Sequence, residues 1–129
     1  MILDDGTTAI TLPDDLEWVD EYDWSNILQS LEPTLGGGLV VSESNVTKGR
    51  PVTLQSGDSV WTDKSIVDAL MVLVNTIDNV YTLTLADART FNVIFDRTNG
   101  LPVEAKPVWR QTVQLADSPY ILTLRLMEV

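Results

Sequence analysis

"VYTLTLADARTFNVIF", residues 80–95, decides the fold. Tyr81, Leu83 and Leu85 alternate with polar residues, and Phe91, Val93 and Phe95 repeat the alternation beyond Asp87-Ala88. Strand side chains point to opposite faces at every second residue, so the pattern is that of a half-buried antiparallel pair. Asp87-Ala88 has the length of a two-residue hairpin connection, although a type I′ turn prefers Gly at its second position.

Working outward, the preceding stretch from Lys64 to about Thr76 places Ile66, Val67, Leu70, Leu73, Val74 and Ile77 at helical spacing. Thr62 is the expected N-cap, with Ser65 where a complete capping box would have Glu or Gln. Before it, "GLVVSES" (38–44) and "RPVTLQ" (50–55) read as strands, with Gly49 suited to a bend and Pro51 to a strand start. "SGDS" (56–59) reads as a turn, and Asn99-Gly100 as another. "VEAKPVW" (103–109) and "PYILTLRLMEV" (119–129) supply two more strands. In the last, Leu122, Leu124 and Leu126 share a face opposite Thr123 and Arg125. With a short strand from Ala9 to Leu12 stopped by Pro13, about seven strands surround one helix. The expected fold is mainly β: a small split β-barrel, or an antiparallel sheet, covered by one helix.

The chain's 129 residues suit one domain, and an apolar fraction of 44% suffices for a core. There is no Cys and no His, which removes disulfides, thiolate sites and the commonest neutral-pH base and transition-metal ligand. Apolar runs such as "ALMVLV" (69–74) are far shorter than the roughly 20 residues of a membrane span. The acidic start "MILDDGTT" lacks the positive region of a secretory signal, so a soluble cytosolic product is expected.

The net charge of −11 is unevenly placed. Residues 1–47 carry ten acids and no Lys or Arg, whereas residues 48–129 carry nine acids and eight bases. This asymmetry marks the first third as a candidate interaction face or arm, or as a solubilising segment. Direct binding to a nucleic-acid backbone is disfavoured, because it requires clustered cations. Within "LPDDLEWVDEYDW", Leu16, Trp18, Tyr22 and Trp24 set large apolar surfaces among acids, as core anchors or partner contacts. "LEPTLGGGL", with Pro33 and Gly36–Gly38, reads as a connector between an acidic segment 1–35 and a β domain 36–129. No Gly-Lys-Ser/Thr ending follows, so it is not a phosphate loop.

No catalytic constellation emerges. Asp14, Asp15, Glu17 and Asp20 are carboxylates without a defined partner geometry. "DDLEWVDEYD" lacks the alternating ligands, central Gly and terminal Glu of a calcium loop. Neither an enzymatic activity nor a cofactor or metal is expected. The candidate partner-interface residues are Asp14, Asp15, Glu17, Trp18, Asp20, Glu21, Tyr22, Trp24, Arg50 and Trp109. Arg50 is suited to fork onto a carboxylate of the acidic third, in its own chain or a neighbour's. Trp61 is expected in the core, and Trp109 is open to either role.

The order "KGRPVTL" (48–54), "VWT" (60–62), "VDALMVL" (67–73), "YTLTLADARTFNVIF" (81–95) and "VEAKPV" (103–108) resembles a group of small proteins of tailed bacteriophages and prophages. In that group a GRP-(I/V)-T-L strand precedes a Trp, a helix, an LTL-x-D-G-R-x-F-x-V-x-F hairpin and an (I/V)EA-x-PV strand. The resemblance spans about residues 10–108, includes "LPDDLEWVDEYDW", and departs at Ala88, where the group has Gly. It implies a virion component at the distal tail or baseplate core, joining tube to baseplate and made in the host cytoplasm. Its partners would be other tail and baseplate proteins and its own copies, in a trimeric or hexameric ring, with no direct nucleic acid and no membrane. A tail assembly factor that leaves the particle, or an acidic inhibitor mimicking DNA, is the alternative.

Overall fold

The computed structural model describes residues 1–57, 60–98 and 100–129. Its strands are β1 (Ile2–Asp4), β2 (Ala9–Thr11), β3 (Glu17–Trp18), β4 (Ile27–Pro33), β5 (Leu39–Asn45), β6 (Pro51–Gln55) and β7 (Thr62–Asp63). Helix α1 (Lys64–Val74) follows, then β8 (Tyr81–Thr84), β9 (Thr90–Phe95), β10 (Val103–Pro107) and β11 (Pro119–Glu128). The fold is mainly β with one helix, and all pairing is antiparallel.

β11 organises the main sheet because its ten residues outrun any single partner. One side pairs with β10 through residues 120–124 and with β9 through residues 126–128. The other side pairs with β6 and β7. The main path runs β2-β1-β8-β9-β11-β6-β3, and its terminal strands do not meet. Three-residue β2 and two-residue β3 are too short to close a ring of hydrogen bonds, so the sheet stays open and the barrel alternative is not what forms.

The 80–95 alternation is realised. Tyr81, Leu83, Leu85, Val93 and Phe95 are buried, with Tyr81 and Phe95 edge to face at 5.1 Å. The connection differs from expectation: Leu85 N–H donates to Arg89 C=O and Ala88 N–H to Leu85 C=O, which leaves a three-residue loop, 86–88. Ala88 takes the left-handed position of that loop, at φ 70°. The expected face of β11 also forms, with Leu122, Leu124 and Leu126 buried.

Helix α1 buries Val67, Leu70 and Leu73 against the sheet. It begins from Asp63, not Thr62, and Asp63 makes no side-chain cap. Thr62 is committed to β7, while the Lys64 and Ser65 N–H groups donate to the Ser118 and Ala116 carbonyls. A distant loop therefore performs the capping that local sequence was expected to supply. At the other end, the carbonyls of Val72, Leu73 and Val74 accept from the Thr76 hydroxyl, the Tyr81 hydroxyl and the Arg97 guanidinium. The helix stops there, and Ile77 is exposed, not part of the apolar face.

Two expectations about the N-terminal half change. β1 was not anticipated, yet it pairs with both β2 and β8 and its Leu3 is fully buried. Gly36–Gly38 belong to the turn of a hairpin, β4–β5, and the expected 35/36 boundary falls at its tip. The turn expected over 56–59 involves Asp58 and Ser59, and that at Asn99-Gly100 involves Asn99; these positions lie outside the described residues.

Candidate protein-interaction surface

The acidic segment following β3 is strapped to the sheet. The Asp20 carboxylate accepts from the Thr53 N–H at 2.9 Å and from its hydroxyl at 2.8 Å. Glu21 pairs with Arg89 at 2.8 Å, and its carbonyl accepts from Arg50 at 2.7 Å. Trp18 lies beneath this strap. The Arg50 and Arg89 guanidinium carbons sit 4.6 Å and 5.5 Å from its ring centroid, and Phe91 meets it edge-on. Cations over the electron-rich face of an indole are attracted by its quadrupole.

Arg50 therefore does engage the acidic third, but through a backbone carbonyl and an aromatic face instead of a carboxylate. The Glu21 carboxylate goes to Arg89, which also holds Asp87 at 2.6 Å. Its hydrogen bonds to Glu21 and then Asp87 raise the Arg89 guanidinium pKa further.

The expected interface residues do not form one patch. Trp18, Asp20, Glu21 and Arg50 meet in the strap. Trp24 joins Arg50, Phe91 and Glu128 around a hollow of about 430 Å³ at the root of β4–β5. Tyr22 projects outward, 91% exposed, and Asp15 and Glu17 face solvent. Asp14 pairs with the N-terminal amine. Trp109 is separate: it packs edge-on against Trp61 at 5.3 Å, both half-exposed. Trp61 is thus a surface residue, contrary to the core expectation, because β7 turns Thr62 inward in its place.

The β4–β5 hairpin is a further candidate surface, of which the sequence shows one strand plainly. β4 and β5 pair through seven registered positions, yet every residue of both strands is exposed. Ile27, Leu28, Leu31, Leu35, Leu39, Val40 and Val41 are its exposed large apolar side chains. Directly opposed residues share a face, so Ile27, Leu31, Pro33, Leu39 and Val41 gather on one face with Gln29, Glu43 and Asn45, while Ser30, Ser42, Ser44 and Glu32 outnumber Leu28 and Val40 on the other. Reading 38–44 as a strand located one side. The missed signal was "ILQSLEP" ahead of a glycine-rich turn of hairpin length.

The Asp20 and Glu21 carboxylates of the strap are each engaged in a structural contact. Among the described residues no three His, Cys, Asp or Glu side chains gather as a metal-holding group, and no helix is long and apolar enough to cross a membrane. No protein-family model, curated protein or solved structure matches the chain.

Proposed function

We propose that the chain is a structural subunit of a bacteriophage tail, at the distal tail or baseplate core, where it joins tube to baseplate by protein–protein contacts. The observation that carries this reading is the β4–β5 hairpin, which holds seven large apolar side chains in solvent and buries none. A two-stranded sheet is marginal by itself in water, so a neighbouring subunit is the natural completion of this one. The ordered motifs from "KGRPVTL" to "VEAKPV" support the same reading by their resemblance to small phage tail proteins. In this role the protein acts without a catalytic centre or cofactor, among other tail proteins and in a ring of its own copies.

The test is a mass-spectrometric search for the chain in gradient-purified particles of its source phage, with copy number. A fixed multiple of three or six is expected. Absence from clean particles overturns the virion role and leaves an assembly factor or a DNA mimic.

A further inference from the structure

Among the described residues no strand pairs with the outer edge of β10 or with either outer edge of the hairpin β4–β5, and their chemistry matches. Arg125 N–H donates to Pro102 C=O at 2.7 Å, and Val108 N–H to Pro119 C=O at 3.0 Å. Antiparallel bonding alternates, so Glu104 and Lys106 also bond towards β11, while the N–H and C=O groups of Val103 and Ala105 and the C=O of Pro107, which has no N–H, point away from it. Along this free edge, between β10 and α1, runs a groove of about 550 Å³. Its apolar lining includes Val67, Met71, Val103, Ala105 and Tyr120.

The same accounting applies to the hairpin. Val46 N–H donates to Asn26 C=O and Thr34 N–H to Gly38 C=O, so the outward main-chain groups of β5 belong to Leu39, Val41, Glu43 and Asn45. None of these is proline, whereas β4 lacks one outward donor at Pro33. β5 is therefore the better donor strand.

We propose that β5 of one copy adds to the free edge of β10 in a second copy, a head-to-tail contact that deepens the proposed structural role and rests on it. In such a pairing the outward residues of the two strands lie opposite each other, so their side chains share a face. Val103 is buried on the helix side of the sheet, which brings Leu39 and Val41 into the groove beside Met71. Charge agrees on the opposite face, where Lys106 of the receiving strand makes no ion pair among the described residues and the hairpin carries Glu32 and no cation. Glu32 falls on the same face as Lys106. Donor and acceptor are different surfaces of one chain, so the contact repeats from copy to copy until a ring closes.

The test uses purified full-length protein in sedimentation velocity, independently of any particle. Val41→Pro and Ala105→Pro each remove one outward N–H that the chain's own ladders do not use. Wild type is expected to form oligomers larger than dimers, and each variant alone to lose assembly with an unchanged circular-dichroism spectrum. An equimolar mixture of the two retains one intact donor and one intact acceptor, so it should form dimers and stop there. Should a proline variant fail to fold, the exposed-site substitutions Leu39→Glu and Met71→Glu replace it, with the same mixing result expected. A monomeric wild type, a mixture that stays monomeric, or wild-type assembly by either variant alone overturns the contact. Because particle proteomics alone tests residence in the virion, the two readings fail separately.

Discussion

At the scale of residues, two positions depart from what their surroundings favour, and both departures are measurable. The Thr62 hydroxyl is buried and has no hydrogen-bond partner among the described residues. Burying an unsatisfied hydroxyl costs free energy, so Thr62→Val should stabilise the fold by about 1 kcal/mol in a denaturant titration. Ala88 holds φ 70° in a three-residue loop, and Gly37 occupies the equivalent position of the other hairpin at φ 85°. Glycine adopts this region without the Cβ clash, which outweighs its larger unfolded-state entropy. Ala88→Gly should therefore stabilise by roughly 0.5–1 kcal/mol, seen as a melting temperature higher by about 2–4 °C. In the same loop, Asp87 is held below the usual carboxylate range, first by the Arg89 N–H and then by the Arg89 side chain. A depressed folded pKa contributes stability above the unfolded value of about 3.9, and loses it as pH falls through the folded value. An NMR titration should place the Asp87 midpoint below that value. Arg89→Ala should move it only part of the way back, because the backbone donor remains.

At the scale of elements, the contrast is between β11 and the β4–β5 hairpin. β11 pairs on both sides and buries Leu122, Leu124 and Leu126, whereas the hairpin's strands bury nothing. Local opening free energy follows burial and contact density, so amides of 27–45 should exchange early and those of β11 only with global unfolding. Replacing residues 27–45 by a short Gly-Ser link should leave the unfolding free energy within about 0.5 kcal/mol of wild type, as expected for surface changes. A large loss of stability in that variant would show that the hairpin supports the sheet.

At the scale of the whole molecule, the first 18 residues belong to the core. Leu3, Ile10, Leu12 and Leu16 are buried with Leu83, Val93 and Leu124 in one cluster. Deleting residues 1–47 as a test of an intersubunit arm would therefore confound assembly with folding. Removal of residues 1–18 alone should abolish the cooperative transition, since each lost buried Leu costs about 2–5 kcal/mol against a total stability of about 5–15 kcal/mol. A truncated chain that still unfolds cooperatively would contradict this placement. The acidic third is thus divided: its start is core, its middle is strapped down by Arg50 and Arg89, and both strands of the hairpin are exposed throughout.

The sequence by itself determined the β class, the 80–95 hairpin, the face of β11 and the position of the helix, because each rests on a local period of side chains. Periodicity is written in neighbours, so it survives without knowledge of the rest of the chain. Only the tertiary structure decided how α1 is capped, since the carbonyls of Ala116 and Ser118 lie some fifty residues from the N–H groups they receive. It also decided that β1 is inside, that Trp61 is outside, and that Arg50 meets a carbonyl while Arg89 meets the carboxylates. The exposure of β4–β5 was hidden for the same reason. A strand with apolar residues reads alike whether its face is covered by its own chain or left for a neighbour, and that choice is made by the packing of distant segments.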